Sequence, residues 1–435
     1  MESGTRHEGG PNSITEPLIP PVIGPRWLRN GTDEEREIES LDEPQGNTSF
    51  FNACSNGLNA LSGVGILSTP FALASGGWLS LLLLFAIAIT AFYSGLLIQR
   101  CMDSDPSIRT YPDIGERAFG RTGRLLISVF MYVELFLVAT GFLILEGDNL
   151  YNLLPSVEFE IGGFLSSKQS LVVIVALIVL PTVWVDNLSI LSYVSASGVL
   201  ASGIILLSIF WTSAFDGVGF RQKGRLVNWS GIPTAVSLYG FCYCAHPVFP
   251  TIYNSMKKKH QFTSVLVVCF ILCTLGYASM AVMGYLMFGD AVESQITLNL
   301  PVGKLSSKIA IYTTLVNPIC KYAIMVTPIV NAAKRRFPWP HNKKPLRIFI
   351  STALVISTVI VAICVPFFGY LMSLVGAFLS VSASIILPCL CYLKISGAYR
   401  SFGFESVTIG AIILLGVLVA VLGTYTALEE IVMHW

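Results

Sequence analysis

Two stretches decide how this chain folds: Asn59-Ala60-Leu61-Ser62-Gly63-Val64-Gly65-Ile66-Leu67-Ser68-Thr69-Pro70-Phe71 and Leu238-Tyr239-Gly240-Phe241-Cys242-Tyr243-Cys244-Ala245-His246-Pro247-Val248-Phe249-Pro250. Each sits inside an apolar run long enough to cross a bilayer, and each places glycine and proline at its middle. Gly63 to Pro70 is seven residues, and Gly240 to Pro247 is also seven. A helix unwound at that depth exposes N–H and C=O groups where there is no water, which persists only if a cavity or ligand satisfies them. Glycine and proline also merely kink many membrane helices. Two breaks of equal spacing at matching positions instead point to a transporter built from inverted repeats.

The rest of the chain fits a membrane setting. Its 435 residues are 53% hydrophobic and 12% charged, with mean hydropathy +0.68 and a formal net charge of +1. A soluble domain carries about a quarter charged residues. The composition therefore excludes a soluble enzyme, a nucleic-acid binder and a secreted disulfide scaffold. A crossing helix needs about 20 apolar residues. Such runs cover Phe50–Ser75, Gly77–Met102, Gly123–Asp148, Ser170–Val185, Leu188–Ala214, Ile232–Tyr253, Thr263–Phe288, Lys308–Ala333, Leu346–Pro366, Phe368–Leu393 and Val407–Leu428, giving an expectation of eleven spans. Residues 1–49 are polar, show no signal-peptide pattern and are expected to be a disordered cytosolic tail. Within them, Glu16-Pro17-Leu18-Ile19 has the form of an acidic dileucine sorting signal.

Charge placement agrees with that count. With the N-terminus cytosolic, 20 of the 26 Lys and Arg in tails and loops fall on the cytosolic side, as positive residues in short loops should. Lys321, inside the eighth run, completes the 27. The C-terminus is then luminal. The ten cysteines lie in runs or at their ends and read as small apolar core residues rather than zinc ligands or disulfides. Of the sequons at Asn30, Asn47, Asn187 and Asn228, only Asn228 falls in a loop across the membrane, open to glycosylation.

The breaks also suggest chemistry. The first ends at the N-terminus of a half-helix, whose free N–H groups and positive dipole end favour a carboxylate. The backbone N–H groups of Gly63, Val64, Gly65 and Ile66 are the candidates. In the sixth run the half-helix ending near Tyr239, Gly240, Phe241 and Cys242 presents unpaired carbonyls that suit an α-ammonium group. Ser62, Phe241 and Tyr243 could shape a side-chain pocket. Ionisable groups at membrane depth are few and should face the bundle interior: Glu134 and Glu146 in the third run, and Lys321 in the eighth. His246 at the sixth-run break could titrate near neutrality, or serve as a hydrogen-bonded neutral imidazole. No paired acids, Ser/His pair or metal-ligand cluster marks an intramembrane enzyme, and no filter-like loop or charged ring marks a channel.

These residues resemble a known family. Asn59–Ala72 looks like the first span of the amino acid/auxin permease family of the amino acid/polyamine/organocation superfamily. Phe241–Pro250 resembles its sixth span, and Lys321-Tyr322-Ala323 with Thr327-Pro328 is similar to its eighth. Within the family the chain looks most like plant and fungal vacuolar amino acid transporters. The resemblance covers roughly residues 49–430. It implies an all-α polytopic membrane protein with a LeuT-type 5+5 inverted repeat: a first five-helix repeat at 50–214, a second at 232–393 and an eleventh transmembrane helix at 407–428. It also implies secondary active transport of amino acids, expected to be neutral ones, coupled to protons, with no cofactor or metal. Another amine or an organic acid, auxin-like or a polyamine, is the alternative cargo. Sodium-coupled LeuT-type carriers bridge their first and eighth spans with an ion. The Lys321 ammonium could replace that ion, with its protonation carrying the coupling, or could be a permanently charged brace against backbone carbonyls or Glu134. Glu134 itself is either partner or proton carrier.

Overall fold

The computed structural model describes residues 46–154, 165–184, 190–336, 343–400 and 403–434. The expected tail disorder, the motif Glu16–Ile19, and the sequons at Asn30 and Asn187 lie outside the described residues.

The apolar runs become helices, because only a structure that satisfies its own backbone survives in hydrocarbon. The first run divides into α1 (Phe50–Leu61) and α2 (Gly65–Gly76), bent by 50°. There follow α3 (Ser80–Ser104), α4 (Tyr111–Leu153), α5 (Ser167–Trp184) and α6 (Ile190–Ala214). The sixth run becomes α7 (Ile232–Cys242) and α8 (Phe249–Ser255), and α9 (Phe262–Phe288), α10 (Leu305–Arg336) and α11 (Lys343–Cys364) succeed it. The tenth run starts as α12 (Phe368–Leu374), widens into π-helix over Val375–Ser380 and Ser382–Ile386, and resumes as α13 (Leu387–Ser396). The last helix is α14 (Phe404–Met433).

Among the described residues, nine helical stretches are long and apolar enough to cross a bilayer, and the bent pair α1–α2 makes a tenth. The expected run Ile232–Tyr253 is not among them. Its pieces have 11 and 7 residues, and at about 1.5 Å rise per residue neither crosses alone. The helix of the third run, α4, begins at Tyr111, well before the expected Gly123, because the polar stretch ahead of it is helical too. The Asp113 carboxylate accepts from the Thr110 N–H at 2.7 Å and the Arg109 N–H at 3.1 Å, capping the new start. Gly120, at φ 66°, interrupts the helical geometry there, a conformation open to glycine and costly for other residues.

The broken segments lie at the centre. α1 packs on α6 and α9, while α2 packs on α7 and α9. α10 leans on α6 and α4. α14 is peripheral: its buried residues are Ile409, Gly416, Gly423 and Ala427, and they bring its backbone close to Ser237, Ala377 and Ile386. Two further features join distant parts of the chain. Residues just before α1 pair with those just after α8: the Thr48 N–H donates to Ser255 O at 2.9 Å and the Lys257 N–H to Thr48 O at 3.0 Å. The segment before α7 is stitched to the α2–α3 turn, with the Leu79 N–H on Leu226 O at 2.9 Å and Asn228 Nδ2 on Ser75 O at 2.9 Å.

Candidate functional site

The first break is Ser62, Gly63 and Val64. The Ser62 N–H still bonds Leu58 O at 2.6 Å, and the Gly63 N–H turns back to Leu61 O at 2.8 Å. Gly63 thus spends its amide locally, whereas Gly65 and Ile66 open α2, where a helix leaves its first N–H groups without intrahelical partners. Pro70 cannot donate to the Ile66 carbonyl one turn back. The Thr69 hydroxyl fills that gap, donating to Ile66 O at 2.9 Å.

The second break covers residues 243–248. The Tyr243 and Cys244 N–H groups make long bonds of 3.3 Å to Gly240 O and Phe241 O. His246-Pro247-Val248 forms a single tight turn before α8. The two breaks touch. A Cβ placed on Gly65 would lie 2.9 Å from Cys242 Sγ and 3.3 Å from Cys242 Cα. On α9, the Tyr277 hydroxyl donates to Leu61 O, at the end of α1, and lies 3.1 Å from Cys242 O, at the end of α7. The two carbonyl ends therefore meet at one phenol. Tyr243, beside it, packs edge-on to Tyr277 with centroids 5.5 Å apart, stacks on Phe270 and shares a 2.8 Å hydrogen bond with Thr274. Tyr239 is buried and reaches Ser80 Oγ at 3.3 Å.

On the other side of the first break, Gly63, Val64 and Ile66 line a void of about 10 Å³ together with Ser202 of α6 and Thr314 and Asn317 of α10. A space of that size holds about one water molecule. Lys321, also on α10 and buried, donates from Nζ to the Ser62 carbonyl at 3.3 Å. Gly198 of α6 makes room for it, since a Cβ there would meet Lys321 Cε at 3.1 Å and overlap the Asn59 side chain.

Glu134 and His246 sit at the second break. Glu134 is buried and accepts from Cys244 Sγ at 2.7 Å and from Ser380 Oγ of the π-helical stretch at 2.6 Å. Its hydrogen bonds come from thiol and hydroxyl, while Lys321 gives its own to Ser62, so the two candidates serve different breaks. His246 Nε2 lies 2.9 Å from both Ser94 Oγ and the Ala91 carbonyl on α3. Glu146 is buried, with neither carboxylate oxygen hydrogen-bonded. The structure thus gathers Ser62, Gly63, Val64, Gly65, Ile66, Phe241, Cys242 and Lys321 around the first break and its contact with the second, and holds Tyr239, Glu134 and His246 in separate polar contacts.

Of the cysteines, Cys320 and Cys364 are exposed rather than in the core, because α10 and α11 turn them outward. Sequence reasoning missed Tyr277, Ser380, Ser94, Thr314 and Gly198. Tyr277, Ser380 and Ser94 bond groups on distant helices, while Thr314 lines the void and Gly198 leaves space for Lys321, and none of this makes a local pattern.

Residues 46–429 match the family model described as transmembrane amino acid transporter protein. Two curated relatives from Arabidopsis thaliana are similar along nearly their whole length. Amino acid transporter AVT1I is 61% identical over 92% of this chain and 99% of its own. Amino acid transporter AVT1J is 60% identical over 92% of this chain and 95% of its own. Among solved structures, MhsT in complex with L-phenylalanine aligns with TM-score 0.52 at 12% identity, over 90% of this chain and 99% of that one. Mhp1, a nucleobase-cation-symport-1 family transporter in a closed conformation, aligns with TM-score 0.52 at 16% identity, over 89% and 92%. At such identities the likeness concerns the fold alone, and that fold is the all-helical LeuT type.

Proposed function

This chain belongs to the transmembrane amino acid transporter protein family, and from that premise we propose that it carries neutral amino acids across the vacuolar membrane by proton-coupled alternating access. The observation that carries this reading is the meeting of the two breaks. The opening of α2 offers N–H groups at a positive helix end, and the ends of α1 and α7 offer carbonyls at negative ones, all within the contact between Gly65, Phe241 and Cys242. An α-amino acid has a carboxylate for the first and an ammonium for the second. We take the N–H groups of Val64, Gly65 and Ile66, after the turn at Gly63, as the carboxylate side of the site, Tyr239, Gly240, Phe241 and Cys242 as the ammonium side, and Ser62, Phe241 and Tyr243 as the side-chain pocket. The walls are apolar and aromatic, which favours uncharged side chains.

Coupling rests on Lys321. Its bond to the Ser62 carbonyl ties α10 to the first break while the amine is charged. A neutral amine holds that carbonyl more weakly, so release of its proton would loosen the tie between the two elements. Glu134 and His246 are the alternative proton sites. In this proposal two inverted five-helix repeats, 50–214 and 232–393, rock around the breaks with an eleventh helix at 407–428 beside them. The N-terminus is cytosolic and the C-terminus luminal.

The test is uptake of a mixed amino-acid panel into proteoliposomes holding the full chain, with and without an imposed pH gradient, alongside counterflow of labelled substrate. Neutral amino acids should exchange, and should accumulate only with the gradient. Flux without counterflow would overturn the carrier reading, and a strict sodium requirement would overturn proton coupling.

A further inference from the structure

The Tyr277 phenol faces more acceptors than it can serve. It lies in hydrogen-bonding reach of Leu61 O and Cys242 O, the last carbonyls of α1 and α7. Its single O–H can be given fully to one of them at a time. Both acceptors end helices, where the dipole is negative and four carbonyls lack intrahelical donors. The ring is fully buried and pinned edge-on against Tyr243, so packing fixes the oxygen between the two ends. Leu61 O already takes the Gly63 N–H at 2.8 Å, so with the phenol given to Cys242 O each carbonyl keeps one lone pair for a further donor. A compact donor with several N–H groups would fill both.

Building on the transport reading above, we infer that Tyr277 is the positioning residue that reads the substrate's amine. In the empty site its hydroxyl donates to Leu61 O or Cys242 O and holds the two broken helices together. When substrate arrives, a primary ammonium brings three N–H donors: two take the free lone pairs of these carbonyls, and the third bonds Tyr277 Oη, which accepts while its own O–H stays on Cys242 O. The site thereby selects compounds with a primary ammonium next to a carboxylate. It discriminates against amines with fewer N–H groups, because each lost N–H gives up one bond to these oxygens. Phenol and ammonium bond the same carbonyls, so occupation of the site adds to the hold between α1 and α7.

The experiment is counterflow in proteoliposomes with the full chain, competing labelled alanine with unlabelled alanine, N-methylalanine and N,N-dimethylalanine. In the wild type each lost N–H should weaken competition, the dimethyl compound by at least about tenfold. Tyr277→Phe keeps the ring and removes the oxygen. It should raise KM for alanine about tenfold at an unchanged maximal exchange rate, and shrink the gap between alanine and its methylated analogues. Tyr322→Phe, which removes a buried hydroxyl bonded to Thr358, should leave KM unmoved. Equal competition by N,N-dimethylalanine in the wild type overturns the inference without any variant. A Tyr277→Phe protein with wild-type KM, or with a lower maximal rate alone, also overturns it and reduces Tyr277 to a strut. A wild type that exchanges no amino acid overturns the transport reading and this inference with it.

Discussion

Gly63 and Gly65 are two residues apart in one break, yet their surroundings differ. A Cβ on Gly63 meets nothing within 4 Å, whereas one on Gly65 would press on Cys242 Sγ and its backbone. The sequence suggests that neither tolerates a branched side chain, because from the pattern alone both belong to one unwound segment. The structure separates them. Gly63→Ala should keep counterflow within about twofold of wild type, while Gly65→Val should abolish it in protein that still reaches the membrane. Lys321 admits a sharper comparison. Lys321→Ala should lose gradient-driven accumulation but keep passive exchange, since the carboxylate and ammonium groups of the site lie on the broken helices. Lys321→Arg keeps the charge but cannot release its proton, so it too should fail to accumulate. Accumulation retained in Lys321→Ala would move the coupling to Glu134 or His246. Gly198→Ala tests the same contact from the other side, since its new methyl would crowd Asn59 and Lys321; it should reproduce the lysine phenotype. Lys321 was legible because a charge in an apolar run stands out. Tyr277 was not: it is one of 16 tyrosines, and what sets it apart is a pair of carbonyls that no sequence pattern marks.

At the scale of elements, long apolar runs are the readable part, and their ends are where reading fails. The stretch from Arg109 to Arg124 looks like a polar loop, yet its Asp113 cap and the ion pair from Arg124 to Asp113 at 3.1 Å sustain a helix. The π-helical stretch Val375–Ile386 is equally hidden, since its small and apolar residues would suit an ordinary α-helix. Its consequence is local: the widened turns carry Ser380 to Glu134, seven runs away in sequence. Ser380→Ala should leave Glu134 with the Cys244 thiol alone. Removing a hydrogen bond to a buried acceptor costs about 1–3 kcal/mol, to be read as a lower melting temperature in detergent. A variant that melts like wild type would show that this hydroxyl contributes nothing. The clasp between Thr48 and Ser255–Lys257 joins the entry of α1 to the exit of α8 by backbone bonds. Thr48→Pro removes the donor to Ser255 O and should speed tryptic cleavage at Lys257-Lys258-Lys259. An unchanged cleavage rate would mean that the clasp does not hold that loop.

For the molecule as a whole, the charge distribution makes the most direct prediction. Tags at the two ends should be cleaved from opposite sides of the membrane; cleavage of both from one side would remove the odd number of spans. Asn228 would then face the lumen, but it should remain without a glycan. Its Nδ2 donates to Ser75 O and lies against Gly231, closing the α2–α3 turn. A mobility shift on glycosidase treatment that vanishes in Asn228→Gln would show otherwise. The peripheral helix α14 bears on how fast such a molecule can turn over. It meets α7 and the π-helical stretch through Gly423 and Gly416, where bare backbone lies against Ser237, Ala377 and Ile386. At these two points α14 puts no side chain into its neighbours and has none to lift out of a hole. On the transport reading proposed above, neighbouring helices would have little to climb over there as the bundle moves. Gly423→Ala would put a methyl 2.8 Å from the Ala377 Cβ and turn that smooth contact into a ratchet. The expected mark is a slower maximal exchange rate with a steeper temperature dependence and an unchanged KM: a brake on the motion that leaves the binding of cargo as it was.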